Sequence, residues 1–117
     1  MLYDAKGFSK IYIKPGFTDM RKGIDGLKLI IGTDLNLNPY QENVLFLFCG
    51  RNSSKIRGLV WEGDGFLMLY KRIEDGHYVW PRNEKDALSL TQEQFDLLMK
   101  GFSIEGKIHS MTPERLF

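Results

Sequence analysis

Apolar positions come in short runs separated by turn residues, and their spacing changes from two to nearly four and back along the chain. Ile11-Tyr12-Ile13 ends at Pro15-Gly16 and reads as a strand followed by a turn. Thr18 then stands where a helix cap would, with Asp19 against the positive end of the helix dipole. Met20, Ile24, Leu27 and Ile31 fall on one helical face behind it. Gly23 and Gly26 are poor helix formers, and their spacing suggests that the helix packs closely inside the domain. Residues 33–43 read as a loop. Three strand-like runs follow, Val44 to Cys49, Lys55 to Glu62 and Phe66 to Ile73, with a shorter one from His77 to Trp80. Asp64-Gly65 and Asp75-Gly76 separate the last three runs, and Asp-Gly between apolar runs is a strong hairpin signal. Leu88 to Leu90 is a further short extended piece. Thr91 caps a second helix, Gln94 takes the capping-box position, Phe95, Leu98 and Met99 form the apolar stripe, and Gly101 is the stop. The pattern predicts an α+β fold, an antiparallel β-meander of four to five strands with two helices, in a single domain over 1–117 whose tail, 111–117, is frayed or partner-dependent.

A two-residue turn at Asp64-Gly65 would set Trp61 opposite Met68, Leu59 opposite Tyr70 and Arg57 opposite Arg72. Ile56, Val60, Leu67, Leu69 and Ile73 would share the other face. Both faces are then apolar near the middle, so the two helices are expected over one and a partner subunit or ligand over the other. Two opposed arginines ask for an anion between them, a carboxylate or a phosphate. Flanked by Trp61 and Tyr70, they form a surface on which single-stranded nucleic acid could stack; core aromatics with solvated rim arginines are the plainer alternative. Lys14, Arg21, Lys22 and Lys28 make a second basic group around the first helix start, open to anion binding or to ordinary surface charge.

The 117 residues carry a formal net charge of +1, which is little for a protein that grips DNA unaided. A 43% hydrophobic content supports a real core. No apolar run is long enough to span a bilayer and no secretory leader is recognisable. The single cysteine, Cys49, lies in an apolar run, so the reading is a cytoplasmic protein with a buried thiol. His77 and His109 are the only histidines, leaving no zinc-ligand cluster. No acidic trio, Ser-His or Cys-His set is evident, so no catalytic residue, metal or cofactor is assigned.

Two segments resemble a known family. Thr18-Asp19-Met20-Arg21-Lys22-Gly23-Ile24-Asp25-Gly26-Leu27 is similar to the signature of the TnpB, or Orf2-like, accessory proteins of the insertion sequence sixty-six family. The second match runs from Leu45-Phe46-Leu47-Phe48 through Lys55-Ile56-Arg57 and Trp61-Glu62-Gly63-Asp64-Gly65-Phe66 to Tyr70-Lys71-Arg72-Ile73-Glu74, Gly76 and Trp80-Pro81. The last helix, with Gln94, Leu97, Leu98 and Gly101, also resembles the family's ending. The chain departs from it at Arg57, where lysine is expected, and in the loop from Gly32 to Glu42. The resemblance implies a non-catalytic accessory protein encoded beside a separate transposase. It carries over no catalytic residue and offers Arg21, Lys22, Trp61, Lys71 and Arg72 as candidate contact positions. With Arg57 and Tyr70 from the sheet reading, these are the expected sites for nucleic acid or a partner. The expected role is an adaptor that docks the transposase, or another copy of itself, through a sheet face and the first helix. Direct nucleic-acid binding through the basic and aromatic face is the alternative.

Overall fold

The central strand is β2, Val44–Cys49, all six residues of which are buried. Such a strand needs cover on both faces, because its side chains alternate between them. In the computed structural model, which describes residues 7–83 and 86–101, it lies third in a five-stranded sheet of order β4-β3-β2-β1-β5. The other strands are β1 (Lys10–Ile13), β3 (Lys55–Trp61), β4 (Phe66–Arg72) and β5 (Leu88–Leu90). The sheet and two helices form a single compact α+β domain.

The sheet is mixed, not wholly antiparallel. β1 runs parallel to β2, with Ile11 beside Leu45 and Ile13 beside Leu47, while the other pairings are antiparallel. A parallel pair needs a crossover long enough to return the chain to the same end. The segment carrying α1 (Ile24–Leu29) and a π-helical turn, Ile30–Asp34, supplies it.

The helices take opposite faces, and this corrects the expectation that both cover one. Leu45, Leu47 and Cys49 join Ile11, Ile13, Ile56 and Val60 beneath α2 (Gln92–Met99), whose Phe95 and Leu98 are buried there with Tyr78 and Trp80. On the other face Val44, Phe46, Phe48 and Leu59 pack under Leu27, Ile30, Ile31 and Leu35. The second cover is therefore internal across β1 to β3. Only the edge strand β4 stays half-open, with Leu67 41% and Tyr70 52% exposed on opposite faces.

Three local expectations change. The first helix begins at Ile24 with Gly23 as an uncapped start. Thr18 does not cap it; its backbone N–H donates to the Cys49 carbonyl at 2.8 Å, tying this segment to the end of β2. Gly23 faces open space, and the Cβ that Gly26 lacks would lie 3.1 Å from the Lys22 stem, so neither glycine marks packing into the core. The Asp64-Gly65 connection is a four-residue loop rather than a two-residue turn. Trp61 pairs with Phe66, and Glu62 N–H donates to the Gly65 carbonyl at 2.8 Å. Their rings, 4.8 Å apart at the centroids, favour this closure. Register moves by two positions, so each side chain keeps its expected face but changes its partner.

Finally, His77 to Trp80 is not a strand. Tyr78 N–H donates to the Ser53 carbonyl at 2.7 Å, and the Trp80 indole N–H donates to the Lys14 carbonyl at 2.9 Å, which pins both rings as core covers. The α2 cap is as expected, with Thr91 and Gln94 bonding each other's backbone N–H. Residues 111–117, read as frayed, lie outside the described residues. No helix among the described residues is long and apolar enough to cross a membrane.

Candidate functional site

The expected site residues fall in three places. On the α1 face of β3 and β4, Arg57 pairs with Tyr70 and not with Arg72. Its guanidinium carbon stands 5.1 Å from the Tyr70 ring centroid, and Nη1 lies 3.6 Å from the Met68 sulfur. The Arg57 Nε is buried and has no hydrogen-bond partner. Arg72 lies across from Lys55 at the sheet end, where Glu74 accepts from its Nε at 3.0 Å. The anion that opposed cations demand is thus a carboxylate of this chain. The expected Arg57–Arg72 pair does not form, because the longer loop shifted the register.

Trp61 closes the same face with Phe66 and Tyr40, whose ring meets Trp61 edge-on at 5.0 Å. Lys28 reaches from α1 over Tyr40 and Phe66, at 5.2 and 5.1 Å from their centroids. Tyr40, standing beside it, is the main reason its ammonium is held above the ordinary lysine range. Tyr40, 48% exposed, was not singled out in the sequence, although an aromatic just after Pro39 in a polar loop was the available signal. Lys71 is a second location, on the opposite face of β4 from Tyr70 and Arg72.

The third place is the turn ahead of α1, which holds Arg21 and Lys22. Asp19 organises it, accepting from the Arg21 backbone N–H at 2.9 Å and from its Nε and Nη2 at 3.0 and 2.8 Å. These bonds hold the Asp19 carboxyl far below the usual carboxylate range. The turn forms one wall of a cleft of about 380 Å³ whose lining includes Lys14, Phe17, Thr18, Asp19, Lys22, Gly26, Leu29, Ile30, Thr33 and Asp34. Thr18, 6% exposed, has a buried hydroxyl without a hydrogen-bond partner. Widening of the helix at the π turn, where Leu35 N–H reaches back to the Ile30 carbonyl at 3.1 Å, shapes the opposite wall. The sequence pointed to Lys14 and Lys22 as basic, but not to a concavity between them.

Cys49 is buried, and burial pushes its thiol up to about 11, which keeps it neutral near physiological pH. Among the described residues, no three His, Cys, Asp or Glu side chains stand close enough to hold a metal ion.

Comparison with known proteins sets these surfaces in a context. The family model described as IS66 Orf2 like protein matches residues 9–108. An uncharacterized protein of Sinorhizobium fredii, y4hO, is 36% identical over 92 residues, covering 79% of each chain. A second from the same organism, y4jC, is 31% identical over 101 residues, covering 86% of this chain and 85% of its own. No solved structure matches the chain.

Proposed function

Because the chain belongs to the IS66 Orf2-like family, it is a transposition-associated accessory protein, and we propose that within this role it is a non-catalytic adaptor that docks the transposase of its element. The observation that carries this reading is the edge strand β4. It ends the sheet with one side unpaired among the described residues, and it exposes Leu67 on one face and Tyr70 on the other. An open edge with apolar side chains is the ordinary substrate for strand addition by a partner. A net charge of +1, with Arg72 held by Glu74 and Arg21 by Asp19, gives weak support to autonomous DNA binding.

Co-purification with the transposase tests the reading. Both Leu67→Glu and Tyr70→Glu should abolish capture while leaving the fold intact, since both side chains are already half in water. A wild-type protein that stays a well-behaved monomer and captures no transposase would defeat it.

Arg57 favours a second reading, in which the α1 face binds single-stranded DNA. Its guanidinium lies over a half-exposed Tyr70 ring, an arrangement on which a base could stack. Anisotropy of labelled element-end and scrambled oligonucleotides over a salt series checks this. Binding that persists undiminished in Arg57→Ala removes its basis.

A further inference from the structure

The cleft beside the turn at Asp19 is separate from β4, and its chemistry selects a different feature of the same partner. We propose that it receives an acidic-apolar peptide segment of the transposase, an inference that rests on the adaptor reading and names a second contact for it. Lys14 and Lys22 line the cleft, and neither has a carboxylate within 4.0 Å among the described residues. Asp19 acts on Lys22 electrostatically, but both its oxygens bond Arg21, the partner that dominates its charge. Asp34 is the other carboxylate in the lining, exposed in the π turn. A ligand carboxylate is therefore favoured at the lysines and disfavoured at Asp34, which fixes the direction of the segment.

The apolar part of the lining argues for a peptide. Leu29 is 68% exposed, an unusual state for a leucine in a helix that covers a core, and Ile30 lies beside it. An apolar side chain of the ligand would remove Leu29 from water, while Ile30, already buried, floors the contact. Phe17, the one aromatic in the lining, already carries the Arg82 guanidinium carbon 5.3 Å from its centroid. Thr18 belongs to the lining, and its hydroxyl, itself buried, has no hydrogen-bond partner.

Overlapping fluorescein-labelled peptides spanning the transposase, titrated against the full chain by anisotropy, provide the test. At least one tile joining Asp or Glu to a large apolar residue should bind. Lys22→Glu should weaken it roughly tenfold, the loss expected when one favourable charge contact is reversed. Tyr70→Glu, on β4, should leave binding of that tile unchanged while abolishing capture of the whole transposase. Tile binding that is indifferent to both Lys14→Glu and Lys22→Glu overturns the proposal. Capture of the transposase with no tile bound overturns it and leaves the adaptor reading standing; loss of both defeats the two together. Oligonucleotide binding that vanishes in Lys22→Glu, with no tile bound, would also overturn it by assigning the cleft to nucleic acid.

Discussion

Thr18 links stability to the cleft, and its replacement by valine gives a quantitative test. The side chain is 6% exposed and its hydroxyl has no hydrogen-bond partner, while its backbone N–H is already used by the Cys49 carbonyl at 2.8 Å. An unsatisfied buried hydroxyl costs about 1–3 kcal/mol relative to an apolar group of the same shape. Valine keeps the branched outline but places a methyl where the smaller oxygen was, and mild overpacking takes back up to ~1 kcal/mol. The expected balance is a gain of about 1 kcal/mol. For a domain of this size that raises the melting temperature by about 4 °C. Urea denaturation followed by circular dichroism should show a higher midpoint at an unchanged slope, since the exposed surface on unfolding is the same. Thr18→Ser retains the hydroxyl and removes the methyl, so it should lower stability. A fall of the valine variant by a similar margin would refute the reasoning, because it would mean that the hydroxyl is satisfied.

Removing the α2 cap with Thr91→Ala breaks the bond from Gln94 N–H to Thr91 Oγ1 at 3.0 Å and should cost about 1 kcal/mol in urea titration; an unchanged midpoint would mean that α2 is held by Phe95 and Leu98 alone. Gly58→Ala would set a Cβ 3.1 Å from Leu45 Cδ1 and 3.4 Å from Leu47 Cδ2 in the packed face. Overpacking of about 1–3 kcal/mol should exceed the ~0.4–1 kcal/mol gained by stiffening the unfolded chain, so the variant melts lower. Cys49 should resist iodoacetamide at pH 8 in the folded protein and react fully in denaturant. Its folded pKa, about 11, lies above the unfolded value of 9.0, so its contribution is complete below pH 9 and is lost as pH rises through 11. Unfolding titrations in that window should show a slope that Cys49→Ala makes shallower, and an identical slope would place the alkaline loss elsewhere.

What the sequence made legible is what is encoded within a few residues. The α2 capping box, the burial of Cys49, the all-apolar β2 and the faces assigned to Arg57, Leu59, Trp61, Met68 and Tyr70 follow from local chemistry and from the period of two. Pairings between distant segments were not legible in this way. Strand β1 joins β2 in parallel and β5 antiparallel, and neither contact leaves a mark in the intervening residues. The one available signal was the strand–helix–strand order around α1, which a right-handed crossover satisfies by placing its helix against the sheet. Once α1 is spent on one face, α2 is free for the other, and the expected exposed sheet face shrinks to β4.

The candidate site failed in the sequence for a related reason. Thr18-Asp19 ahead of helically spaced apolar residues has the form of a helix start, since a hydroxyl and a carboxylate there satisfy free amides and the dipole. Two contacts outcompete that form. The end of β2 offers a carbonyl to the Thr18 amide, and Arg21 offers Asp19 four donated bonds, three of them from its guanidinium. The chain therefore stays in a turn from Asp19 to Lys22 and enters the helix only at Ile24. That delay opens the space between Thr18 and the π turn. The cleft thus arises because a tertiary bond at Thr18 overrides a local cap, leaving the spare hydroxyl on which the valine substitution acts.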